Sequence, residues 1–189
     1  MAEKIHYKFI EGKNIDLVPY NMEHLELYVK WVNDPKVRLY SRNMIPKTVE
    51  EYKKRIESSN ERYPTDIGFE IFYKKDKKPI GTCGIFRINW IDRKAFVGLS
   101  IGEPDYWGQN LATEATSLIV KYAFEELNLR KLMAHINAPN IGSWRCAEKN
   151  GFIRIGILEK DTYVNGEYID TYIYSLAREK WRETKINLQ

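Results

Sequence analysis

Cysteine is scarce in this chain of 189 residues: there are two, Cys83 and Cys146. Two isolated thiols with no CxxC spacing exclude a disulfide framework and a structural zinc site. Histidine is nearly as rare, with three scattered residues, so no metal centre is expected. No apolar run reaches the roughly 18 residues of a membrane-spanning helix, and no signal-peptide pattern opens the chain. A soluble, cytoplasmic protein without membrane attachment is the expectation. Concentrated positive charge is missing too. The formal net charge of +4 is spread along the chain, unlike the basic stripe that marks a nucleic-acid partner. The densest basic run, Lys74–Lys78, lies between two strand-like segments and reads as a solvated turn.

What is present is 43% hydrophobic and rich in aromatics, including thirteen tyrosines and five tryptophans. That suffices for one globular domain with a sizeable core. We take the domain as residues 1–189, with its core from about 13 to 181; residues 1–13 read as a polar lead-in. Ile15–Pro19 alternates like a strand. Met22–Val32 follows with apolar residues at helical spacing behind Asn21, a suitable N-cap. Thr48-Val-Glu-Glu51 is a capping box, opening a helix to about Ser58 whose thin stripe (Val49, Tyr52, Ile56) suits a flank more than a centre. Three strands follow with short links: Ile67–Tyr73, Pro79–Ile88 and Lys94–Ile101, an antiparallel meander. Leu111, Ala115, Leu118, Ile119 and Tyr122 mark a long amphipathic helix to about Leu127. A strand over Lys131–Ile136 and a short helix over Ile141–Lys149 come next. Strands at Phe152–Leu158 and Tyr168–Leu176 flank the hairpin signal Asn165-Gly166. Arg178–Thr184 reads as a closing helix. The order βααβββαβαββ describes an α/β domain with a mixed sheet.

The chain is organised around Ser100-Ile-Gly-Glu-Pro-Asp-Tyr-Trp-Gly-Gln-Asn-Leu-Ala-Thr113. A strand, a loop of small residues and a bare helix start make a backbone anion cradle, suited to phosphate or pyrophosphate. The same pattern also serves as plain architecture. A second loop, Asn137-Ala-Pro-Asn140-Ile-Gly-Ser143, leaves the next strand for the next helix. Two such loops at neighbouring strand ends form the crevice where α/β proteins bind ligands. Asn140 and Ser143 are also ordinary helix caps.

Taken together, Trp107-Gly-Gln-Asn-Leu-Ala-Thr-Glu-Ala115, Asn140-x-x-Ser143, Ala147-Glu-Lys-Asn-Gly-Phe152 and the closing Asn-Gly hairpin resemble the GNAT superfamily of acyl-CoA N-acyltransferases. The similarity runs from about Lys13 to Trp181, and its most similar branch holds ribosomal-protein N-terminal acetyltransferases and spermidine N-acetyltransferases. The resemblance implies a GNAT-like fold whose fourth and fifth strands splay apart. It implies acetyl-CoA as co-substrate, its pyrophosphate wrapped by main-chain N–H groups of Gly108, Gln109, Asn110, Leu111, Ala112 and Thr113. The pantetheine arm would pair with Leu99, Ser100 and Ile101. Asn140 would bond a pantetheine amide, Lys149 would lie near a phosphate, and Cys146 near the cofactor. The chain departs from the pattern at Asn110 (usually glycine), Phe96 (often acidic) and Ala147 (often tyrosine). Ser143 matches the serine of the ribosomal-protein branch.

The implied function is direct acetyl transfer to a primary amine, foremost a protein N-terminus. A polyamine or other small amine is the alternative, and a silent CoA-binding sensor is the alternative of another class. Such an amine must lose a proton before it attacks the thioester. Glu70, in the cleft or else solvated, and Glu103 are the candidate bases, and Ser143 the donor to the departing sulfur. Tyr163, Tyr168, Tyr172 and Tyr174, taken as exposed, stand for substrate contacts or a homodimer face.

Overall fold

Residue alternation and turn chemistry account for most of the sheet. The computed structural model describes residues 7–41, 43–57 and 63–186. Its strands are β1 (Ile10–Glu11), β2 (Ile15–Val18), β3 (Ile67–Tyr73), β4 (Lys78–Asn89), β5 (Lys94–Ile101), β6 (Lys131–Asn137), β7 (Ile153–Val164) and β8 (Glu167–Ala177). Its helices are α1 (Leu25–Asn33), α2 (Val49–Glu57), α3 (Leu111–Glu125), α4 (Ile141–Lys149) and α5 (Arg178–Ile186). They form a mixed α/β domain around one eight-stranded sheet in the order β1-β2-β3-β4-β5-β6-β8-β7. Neighbours are antiparallel except β5 and β6, which run parallel because α3 carries the chain back between them.

The expected elements are all there, with three differences. The polar lead-in is not idle: Ile10–Glu11 pairs with β2, so the sheet begins before residue 13. The closing hairpin is longer than its apolar segments suggest, because β7 runs on from Glu159 to Val164, its pairing with β8 resuming at Thr162 after an irregularity. That turn carries Asn165 and Gly166 at φ 50° and 95°, the double positive that a type I′ hairpin requires. The first helix opens with a turn of 3₁₀-helix over Met22–His24, capped by Asn21 accepting from Glu23 N at 3.0 Å. The Thr48–Glu51 box closes reciprocally, Thr48 N to Glu51 Oε2 at 2.9 Å and Glu51 N to Thr48 Oγ1 at 3.2 Å. The end expected for that helix at Ser58 lies outside the described residues.

α3 packs its stripe of Leu111, Ala115, Ile119 and Tyr122 on one face of the sheet, the main core. On the other face α1 and α2 form a smaller aromatic cluster of Leu25, Tyr28, Trp31 and Tyr52. β4 runs through the middle without side chains where space is shortest: a Cβ at Gly81 would collide with the main-chain oxygen of Ser100.

Glu70, expected in a cleft or in solvent, occupies neither. Its residue is 1% exposed, on the β3 face that α1 covers. The Tyr28 hydroxyl donates to Glu70 Oε2 at 2.6 Å, and His24 Nδ1 lies 2.6 Å from the same oxygen. The carboxylate therefore pins the start of α1 to the sheet, a buried acid tolerated because it is partnered. Burial pushes the Tyr28 hydroxyl far above the usual tyrosine range, with the Glu70 carboxylate adding to the effect, so that hydroxyl stays a donor. Tyr28→Phe removes a donor from a buried carboxylate and should cost about 1–3 kcal/mol in urea unfolding; unchanged stability would show that Tyr28 does not anchor Glu70.

Candidate active site

β5 and β6 begin as a regular parallel pair: Lys94 opposite Lys131, Ala95 opposite Leu132, Phe96 opposite Met133. There the pairing ends. β5 runs on to Ile101 along β4, and β6 to Asn137 along β8. The two strands diverge into a V, and among the described residues no strand lies beside the β5 edge from Val97 onward on that side. Exposed ladder groups are a ready template for an extended ligand.

The V opens into a cavity of about 520 Å³. Val97, Gly98, Leu99 and Ser100 form one wall, and β6 from Ala134 to Asn137 forms another. Asn140, Ser143, Cys146 and Ala147 close the end where α4 begins. Tyr20, Tyr40, Lys47, Glu51, Tyr52 and Arg55 bound the side that α1 and α2 cover. Ala147, where many GNAT proteins carry tyrosine, is 6% exposed.

Beside the V lies the head of α3. Gly108 and Asn110 take positive φ values of 75° and 60°, and Asn110 caps the helix in the left-handed conformation. The asparagine that departs from the family glycine thus adopts the backbone that a glycine would supply, as its side chain tolerates. The first helical hydrogen bond is Glu114 N to Asn110 O at 3.1 Å. The N–H groups of Leu111, Ala112 and Thr113 therefore have no intrahelical acceptor, and the helix dipole adds positive potential there. Lys149 Nζ donates to Asn110 Oδ1 at 2.8 Å, bringing a cation to the same loop. Asn150 Nδ2 donates to Thr113 O at 3.2 Å and Cys146 O at 2.9 Å, tying α4 to this helix head. These groups fit a pyrophosphate, and the open β5 edge fits an amide-bearing arm.

The structure brings most of the sequence-derived candidates together. Leu99, Ser100, Asn140, Ser143 and Cys146 share the cavity, with Gly108–Thr113 and Lys149 at the neighbouring helix head. Ile101 is 8% exposed and its carbonyl accepts from Trp107 Nε1 at 2.9 Å, so the indole seals the strand's end. Asn140 also caps α4, its Oδ1 receiving Ser143 N at 3.3 Å. Glu70 and Glu103 are not among the cavity-lining residues. Glu103 accepts from Trp31 Nε1 at 2.8 Å and Lys30 Nζ at 3.1 Å. Burial alone would raise its carboxyl, but these donors outweigh it and hold it below the usual range. Among the tyrosines taken as exposed, Tyr163 and Tyr168 are so. Tyr174 is not: it is 1% exposed, and its hydroxyl donates to Glu148 Oε1 at 2.9 Å.

Sequence reasoning missed His135. It lines the cavity from β6, with its ring edge-on to Phe96 at 5.0 Å between centroids. The signal was legible: Leu132, Ala134 and Ile136 take the core face, so Met133, His135 and Asn137 take the other.

The acetyltransferase (GNAT) domain family matches residues 14–153. The chain belongs to the GNAT acetyltransferase family. It is an N-acetyltransferase with acetyl-CoA as co-substrate and an amine as acceptor. It is similar to "Probable N-acetyltransferase YjcK" of Bacillus subtilis (strain 168), 36% identical over 132 residues, 68% of this chain and 72% of that one. "Putative ribosomal N-acetyltransferase YdaF" of the same organism is 28% identical over 141 residues, covering 74% and 76%. The crystal structure of spermidine N-acetyltransferase from Vibrio cholerae, in complex with CoA and spermine, shares the GNAT fold with a TM-score of 0.82. It covers 90% of this chain and 99% of its own at 22% identity. Among the described residues no helix is long and apolar enough to cross a membrane.

Asn110 is the residue whose backbone this GNAT loop depends on. Asn110→Gly should preserve stability, while Asn110→Val, β-branched at positive φ, should lose about 1–2 kcal/mol in urea unfolding; equal stability of the two variants would contradict the reading.

Proposed function

We propose that this enzyme acetylates the α-amine of a protein or peptide N-terminus, and that the splayed β5–β6 notch holds acetyl-CoA. The observation that carries the reading is the continuity of one cavity from the β5 edge and Ser143 to the walls contributed by α1 and α2. Acyl donor and amine can therefore meet in a single continuous cavity, which direct transfer needs.

Main-chain N–H groups of residues 108–113 grip the pyrophosphate, with Lys149 beside them. The β5 edge at Leu99 and Ser100 faces the pantetheine arm, with Ile101, its carbonyl held by Trp107, closing the strand's end, and Asn140 bonds one of the arm's amides. Ser143 donates to the sulfur as it departs. Cys146 packs against Thr116 Oγ1 at 3.3 Å near that sulfur and forms no covalent intermediate. Glu70 and Glu103 are anchors of α1 in this reading, not bases, because each is bound away from the cavity. His135 takes that task instead. It lies on the cavity wall next to Phe96, which stands where GNAT relatives often carry an acid. Its imidazole can accept a proton from the attacking amine. An α-amine, with a pKa of about 7.7–8, gives up its proton more readily than an alkylamine near 10.

Charge supports the same acceptor. Among the described lining residues the cations are Lys47 and Arg55 and the sole carboxylate is Glu51, which is drawn into its capping box with Thr48. A polycation would meet two positive charges and one engaged carboxylate. The polyamine reading rests on the spermidine N-acetyltransferases among its relatives and structural neighbours.

An acceptor panel with thiol release as readout separates these readings. Peptide N-termini should be acetylated faster than spermidine; the reverse order favours a polyamine enzyme, and no turnover favours a CoA sensor. Ala112→Glu, placing a carboxylate at the helix head, should weaken acetyl-CoA binding at least tenfold by calorimetry. Unchanged affinity would put the phosphates elsewhere. His135→Gln should lower kcat at neutral pH by about 10²-fold or more with CoA affinity intact, and a rate within threefold of wild type would assign the proton to another group.

A further inference from the structure

Asn137 holds an unused donor. The residue ends β6, is 5% exposed and lines the cavity. Its Oδ1 lies 3.4 Å from Thr171 Oγ1, which donates to it, and Thr171 in turn is 2.9 Å from Thr162 Oγ1 on β7. Its Nδ2 is buried with no protein partner. Leaving such a donor unmatched is costly, and at a cavity wall a bound molecule can supply the acceptor. The hydroxyls of Thr171 and Thr162 hold the oxygen end of the amide, in a residue that lines the V. That point lies beyond the last β5–β6 pair, at the mouth where the diverging strands are widest and three residues before Asn140.

We infer that Asn137 Nδ2 donates to a carbonyl oxygen of the pantetheine arm, making Asn137 a cofactor-positioning residue that reads the arm from the β6 side while Leu99 and Ser100 read it from β5. The chemistry is specific. An N–H₂ group needs an acceptor lone pair, and the arm carries two amide carbonyls, whereas a protonated polyamine offers none. The assignment rests on the notch being the acetyl-CoA site. It gives the splayed β6 strand, whose main chain is spent on β8, a hold of its own on the ligand.

Calorimetry with two probes tests it: CoA, and adenosine 3′,5′-bisphosphate, which carries phosphates but no pantetheine. Asn137→Leu should weaken CoA about 5- to 10-fold and leave the bisphosphate unchanged. The melting temperature of the free variant should hold or rise, because the orphan donor is gone, while the upward shift produced by CoA shrinks. Asn137→Asp, the same shape without the donor, should also lose CoA affinity and covers the case in which the leucine variant misfolds. CoA affinity equal to that of wild type in both variants overturns the inference. Equal weakening of both probes overturns it too, as a structural effect, and so does normal CoA affinity with a raised KM for the amine alone. If wild type binds neither probe, it is the cofactor reading of the notch that fails.

Discussion

A parallel strand pair that stops after three residues governs the rest of this structure. Had β5 and β6 stayed together to Ile101 and Asn137, every main-chain group between them would be spent in the ladder. Their divergence leaves a row of amides and carbonyls without a neighbour in the middle of a sheet, a place where such groups are otherwise paired. The protein can maintain that opening because each strand is held from its far side. β5 is registered on β4 as far as Gly81 and Ile101, and β6 on β8 as far as Thr171. The hydrophobic floor comes from α3, whose buried stripe spans the gap below the strands.

The same helix supplies the second element. Because α3 links β5 to β6, its first turn must sit at the end where they part, with its unpaired N–H groups beside the notch. Anion cradle and strand edge are thus not two independent sites but consequences of one crossover. The acceptor side is built differently. α1 and α2 lie over the other face, and their position depends on Glu70 through Tyr28 and His24 and on Glu103 through Trp31 and Lys30. Both acids work as attachments of this layer. In the proposed reaction, its lining of tyrosines, two cations and one capped carboxylate is what the incoming amine would meet.

Much of this was legible from residues alone. The strand–loop–helix run over residues 100–113, the stripe of α3 and the Asn165-Gly166 turn are local signals, and local signals survive folding. Asn110 was readable as a tolerable stand-in for glycine because its side chain permits positive φ. What escaped depended on contacts distant in sequence. Glu70 alternates like any half-buried strand residue, and only the arrival of α1, some 40 residues earlier in the chain, makes it a buried anchor. β1 is two residues long, too short for any periodicity. His135 and Asn137 were readable in alternation, yet their importance comes from β5 leaving β6 beside them, which no single-strand pattern encodes.

The central claim, that the notch and the head of α3 together receive acetyl-CoA, is most directly tested by amide hydrogen exchange with and without CoA. The account predicts new protection in two places at once, residues 108–113 and 97–101, with the β2–β3 ladder unaffected. Protection confined to another surface, or none at saturating CoA, would contradict it.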